Sequence, residues 1–192
     1  EARRRLGYTR VALAWLSADE AERRTVQAQQ DKGLAFYGAG WVPPDEAEKL
    51  CRRDSAKVGF ACQVRVDTGH LTLYSGYPLL HSKRVAKLLG DTVEAYRRFN
   101  RDAIPFHPLK KPVLIYLLPD RESYLEDPNP FPRDVRERTS GLYSHRHKAL
   151  IISGEESGAT HSIVTLRVAV HEMIHALDDQ MAGLDGGDEV PQ

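Results

Sequence analysis

His171, Glu172 and His175 stand in the run His-Glu-Met-Ile-His. Histidines four residues apart on a helix lie one turn apart on the same face, so two imidazole nitrogens can reach a single ion. Imidazole suits Zn²⁺ at about 2.0–2.1 Å. Glu172 comes directly after the first histidine and points about 100° around the helix. That is a poor place for a ligand beside its neighbours and a good one for hydrogen-bonding a water on the open side of the ion. Zinc brings the pKa of such a water to about 7, and a carboxylate can then take its proton. The pattern fits hydrolysis of a carbonyl–nitrogen bond, with Glu172 carrying a proton from water to the leaving amine. Two blander readings compete: a histidine pair satisfied by neighbouring carboxylates, and a metal site without catalysis.

The motif has this meaning only on a helix. Val164, Leu166, Val168, Val170, Ile174 and Leu177 predict one over about 162–181, apolar on several sides and therefore central and buried. Two histidines and a glutamate on a buried helix need compensation, which an ion would supply. Upstream, 58–66 is rich in β-formers, Asp67-Thr68-Gly69 signals a turn, and 70–75 alternates with Leu71 and Leu73 on one face. A helix is expected over about 82–101, with Val85, Leu88, Leu89, Val93, Tyr96 and Phe99 on its buried stripe. A buried strand follows over 113–118, a short helix over 121–125, and a Pro-rich loop over 127–132. Residues 141–144 and 148–153 read as two strands joined around His145-Arg146-His147. The order strand, helix, strand, hairpin, helix fits an α+β domain.

The segment from Val168 through His171-Glu172-Met173-Ile174-His175 to Leu177 resembles the active-site helix of the zincin, or peptidase MA-like, superfamily. The upstream order over about 65–192 is similar too, most of all to bacterial members of the gluzincin branch. The resemblance implies a zincin-like fold, a zinc-dependent peptidase with Glu172 as general base, and His171 and His175 as zinc ligands. It also implies an edge strand that takes extended peptide by strand addition; 141–144 and 148–153 are both candidates for it. A metzincin would place Gly three residues after the second His and a third His three further on, where this chain has Asp178 and Met181. In the gluzincin branch the third ligand is a Glu on the next helix, which here would lie beyond Gln192. The peptidase domain is thus expected to continue past this sequence, and the metal site within it to be incomplete. Rivals inside the chain are Asp178, Asp179, Asp185, Asp188 and Glu189; the side chain of Asp178 is too short to reach an ion held by the histidine pair. The alternative is a zincin fold without catalysis, used for binding or for structure.

Other residues carry weaker signals. His145 and His147 would share a face on a strand, or sit solvated at a hairpin tip. Tyr143 is either an oxyanion stabiliser or strand packing. His161 reads as a polar residue at a helix start, and His70, His81 and His107 have no evident role. The first third repeats with a 26-residue offset: Gly7, Trp15-Leu16 and 19–23 match Gly33, Trp41-Val42 and 45–49. Each unit reads as a hairpin closing on a Trp, then an acidic helix start. Two units are too few for a solenoid. A small Trp-containing repeat module over 1–56 is therefore expected, joined to the peptidase domain over 57–192.

Composition sets outer bounds. The chain has 192 residues, is 41% hydrophobic and 28% charged, and balances 27 basic against 27 acidic side chains. No charge excess points to nucleic acid or to an anionic membrane surface. No apolar run approaches the roughly 18 residues of a membrane span. The expected partner is a peptide or protein substrate; no oligomeric state can be read. A start at Glu1 rather than Met is what a processed chain would show, and an extracytoplasmic or secreted address fits it. Cys51 and Cys62 are free thiols, or a disulfide if the protein is exported; their spacing is not that of a zinc knuckle.

Overall fold

Each half of the 26-residue repeat folds as a two-stranded antiparallel hairpin followed by a helix. The first is β1 (Tyr8–Val11), β2 (Ala14–Ser17) and α1 (Ala18–Gln30); the second is β3 (Ala35–Tyr37), β4 (Gly40–Val42) and α2 (Pro44–Val58). Gly7 and Gly33, at matching positions, have φ of 80° and 74°, a left-handed conformation that favours glycine. Both helix starts are acidic, and the first is capped by side chains. Ser17 caps α1 in a reciprocal box with Glu20, and Asp45 and Glu46 occupy the first turn of α2. The computed structural model describes residues 7–11, 14–102, 108–126, 133–154 and 163–181.

The remaining strands form one mixed sheet. β5 (Val64–Asp67) and β6 (Leu71–Ser75) make an antiparallel hairpin; α3 (Leu79–Asn100) then crosses to β7 (Val113–Leu117), parallel to β6. The short helices α4 (Arg121–Glu126) and α5 (Arg133–Arg138) precede the hairpin of β8 (Gly141–Ser144) and β9 (Ala149–Ile152). β9 inserts parallel beside β7, which leaves β8 outermost in the order β5-β6-β7-β9-β8. Helix α6 (Ile163–Gln180) carries the His-Glu-Met-Ile-His run.

Strand alternation and helical stripes meet in one core. Leu71 and Leu73 of β6, Val113, Ile115 and Leu117 of β7, and Leu150 and Ile152 of β9 are buried against Val85, Leu89 and Val93 of α3 and Met173, Ala176 and Leu177 of α6. Burying a side chain of this size contributes about 1.5–3 kcal/mol. Ser82 fixes the start of the crossover helix. Its hydroxyl donates within reach of Ser75 Oγ at 2.8 Å and the Tyr77 carbonyl at 3.1 Å, so the end of β6 is tied to the first turn of α3. The other sheet face carries a smaller cluster of Leu118, Tyr124 and Ile151.

The two sheet edges differ. Gly38, at φ 67°, donates its N–H to the Arg65 carbonyl and accepts from Asp67 N–H, both at 2.9 Å, so the turn after β3 covers part of β5. Nearby, buried Asp54 accepts from Tyr37 at 3.1 Å and Arg53 at 3.0 Å. Burial opposes ionisation of Asp54, but these bonds win and hold its carboxyl below the usual range. At the other edge, α6 lies so close to β8 that a Cβ on Gly141 would stand 2.6 Å from Val168 Cγ1.

Three expectations are corrected. Helix α2 runs on to Val58 and stops at Gly59 in a left-handed cap, so the β-rich stretch becomes strand only from Val64; the 56/57 boundary falls in the last turn of α2. Phe99 belongs to the apolar stripe by spacing, yet it is 90% exposed, because α3 outruns the surface it packs on. Helix α6 is buried on one side only: His171, Ile174 and His175 are exposed. A buried helix therefore gives no argument for an ion at this pair. α5 was not anticipated.

Two predictions follow from packing. Gly141→Ala must push β8 away from α6 and should cost about 1–3 kcal/mol, read as a lower urea midpoint; an unchanged midpoint would show slack at this contact. Burial, with an acidic neighbour in the first two cases, raises the pKa of Tyr37, Tyr96 and Tyr124 above the ordinary value of 10.0. The folded chain therefore keeps these phenols protonated where the unfolded chain would release the protons. Their contribution to stability is intact below about pH 10 and is lost as pH rises further. Ultraviolet titration of the eight tyrosines should show a late class that ionises with unfolding; all eight titrating together in a folded protein would contradict it.

Candidate metal and catalytic site

The Nε2 atoms of His171 and His175 are 3.1 Å apart, with the rings edge to face. Nitrogens this close share either one proton or one ion. An ion about 2.0–2.1 Å from each would see them at roughly 95–100°, near the tetrahedral angle. The donor set and its spacing therefore suit zinc.

At about 100° per residue, α6 presents distinct strips. Ala169, Met173, Ala176 and Leu177 enter the core. Val168, Glu172 and Asp179 meet β8: Val168 at Gly141, Glu172 at the Tyr143 backbone, Asp179 at the Tyr143 hydroxyl. Val170, Ile174 and Asp178 line a mainly apolar groove of about 610 Å³ shared with Ala95, Tyr96 and Phe99 of α3. The two histidines occupy the exposed strip between edge strand and groove.

Glu172 is half-buried, and its Oε2 accepts the Tyr143 N–H at 2.7 Å. The ladder explains why that N–H is available. Ser153 N–H donates to the Ser140 carbonyl at 2.8 Å, and hydrogen-bonded pairs alternate along an antiparallel ladder. Leu142 thus faces β9, while Gly141 and Tyr143 turn their backbone polar groups to the side of β8 away from β9, where no described strand pairs with it. Of the two candidate edge strands, β8 is the outer one, and β9 lies between β7 and β8.

The acidic residues after His175 are engaged elsewhere. Asp178 accepts from the Tyr96 hydroxyl. Asp179 is buried and accepts from the Tyr143 hydroxyl and from Lys148 Nζ, at 2.6 and 2.7 Å to its two oxygens. Among the described residues no three His, Cys, Asp or Glu side chains gather as a metal site. Asp185, Asp188, Glu189, His107 and His161 lie outside the described residues.

The remaining sequence candidates have structural surroundings. The Tyr143 hydroxyl is committed to Asp179 and to Gln180 Nε2, 3.1 Å away. His145 and His147 lie exposed in the β8–β9 turn rather than on a strand, with His145 Nδ1 3.7 Å from Asp179. His70 pairs with Glu94 at 2.9 Å, and His81 stacks on Tyr77. Cys51 and Cys62 are free thiols; Cys51 donates to the Cys62 carbonyl, and burial pushes the Cys62 thiol pKa up. Sequence reasoning missed Lys148: it read as the first residue of the 148–153 strand, whereas β9 starts at Ala149 and Lys148 ends the turn.

Comparison with family models, with curated proteins and with solved structures finds no match for this chain.

Proposed function

We propose that this chain carries the metal site of a zinc-dependent peptidase of zincin type, and the observation that carries this is the 3.1 Å convergence of the two Nε2 atoms beside Glu172 and the outermost described strand. His171 and His175 would hold the zinc, with a third protein ligand from outside the described residues. Bound there, zinc would lower the pKa of a coordinated water and polarise a carbonyl. The chain's own residues supply the rest. Glu172 takes the proton from the attacking water and returns it to the leaving amine, its carboxylate steadied by the Tyr143 N–H. The open edge of β8 offers Gly141 and the Tyr143 carbonyl to an extended peptide, which pairs as a further strand and lies across the histidine pair. A protein or peptide substrate is thus recognised mainly through its backbone.

Zinc titration by calorimetry should give binding that His171→Ala and His175→Ala each abolish and Glu172→Gln retains. In the full-length protein, Glu172→Gln should lower kcat on a peptide library by about 10²–10⁴-fold. Absence of zinc binding in the full-length protein would remove the metal reading. Zinc binding without hydrolysis would leave a zincin-like module that binds rather than cuts.

A further inference from the structure

Lys148 is the one non-glycine among the described residues with positive φ, at 50°. Turn geometry alone would favour Gly or Asn there. The lysine has a different distinction. From the β8–β9 turn its ammonium reaches both oxygens of Asp179, at 2.6 and 2.7 Å, and that carboxylate is wholly buried. Asp179 also accepts from the hydroxyl of Tyr143, and Gln180 donates to the same hydroxyl. Tyr143 is thus gripped by its side chain at the end of α6, while its backbone N–H donates to Glu172 two turns earlier.

We propose that Lys148 and Asp179 are positioning residues: their ion pair sets where β8 lies along α6, and so where the Tyr143 N–H meets Glu172 and which way that carboxylate points. This rests on reading Glu172 as the general base. A buried carboxylate must keep its cation, so the turn accepts a left-handed lysine to bring one. The grip passes from Asp179 to the Tyr143 ring and then along one residue of backbone to the Glu172 oxygen.

The test separates the ammonium from the turn. Lys148→Gly relaxes the left-handed residue and removes the charge; Lys148→Met removes the charge alone; Lys148→Arg restores it. The Tyr143 amide, followed by hydrogen exchange in the full-length protein, should exchange about tenfold faster in the Gly and Met variants and return towards wild type in the Arg variant. The Gly variant should melt no lower than the Met variant. On peptide substrate, the Gly and Met variants should lose kcat with KM nearly unchanged, and Arg should recover most of it. Unchanged amide protection in both charge-removing variants would overturn the proposal, as would failure of Arg to rescue. Faster exchange with kcat intact would overturn the link to Glu172. If the protein proves to have no peptidase activity, the peptidase reading fails, while the exchange and rescue results still decide whether Lys148 positions β8.

Discussion

A carboxylate as deeply buried as Asp179 cannot stand alone in a protein interior. Desolvation would cost several kcal/mol unless a cation and hydrogen-bond donors meet it. Here they come from the β8–β9 hairpin: Lys148 from the turn, Tyr143 from the strand. This one requirement fixes the outer strand against the last turn of α6. Contact at the other end of β8 is then possible only without a side chain, which is why Gly141 faces Val168. Between these two points Tyr143 meets Glu172. The placement of the acidic residue beside the histidine pair is thus a consequence of hairpin packing as much as of helical spacing.

The two edges of the sheet have different fates. A free strand edge invites pairing with other chains, and natural sheets usually cover or twist it. The turn at Gly38 partly covers β5, through two backbone bonds that need the left-handed conformation a glycine adopts without strain. On β8, the Glu172 carboxylate accepts from the Tyr143 N–H. The strand's length of four residues limits unwanted pairing. Beside it lies the exposed strip of α6, so in the proposed reading a strand added to β8 would pass the two imidazoles. In that reading affinity would come through main-chain bonds, and side-chain preference from whatever lines the path, including the groove between α3 and α6.

How much of this was legible in the sequence differs by element. The α3 stripe of Val85, Leu89, Val93 and Tyr96 was readable because every member faces the same core; Phe99 obeyed the spacing and failed, since periodicity carries no information about where the partner surface ends. The stretch 58–66 looked like strand because Val58 and Phe60 favour it, yet Val58 continues a helix whose stop is Gly59. Residues 141–144 and 148–153 were visible as a hairpin, but which strand is outermost depends on β9 pairing with β7, a contact between residues far apart in sequence. His171, Glu172 and His175 were legible as a set because four-residue spacing translates directly into one face of a helix. The Lys148–Asp179 pair was not, because neither residue type nor spacing reveals that a turn lysine and a helix aspartate 31 residues apart will meet.

The sequence argument for an ion leaned on burial of the helix, and α6 is not buried where the histidines stand. What replaces that argument is local. Two Nε2 atoms 3.1 Å apart on an exposed strip have water available to each. A direct N–H···N bond between solvated rings gains little over bonds to water. In the proposed reading, an ion bound by both imidazoles would account for the convergence. Glu172 is then set off around the helix from both rings and tethered to the strand edge rather than to either histidine. In the proposed reading the carboxylate, held apart from the two histidines and beside the outer strand, would serve as the proton carrier.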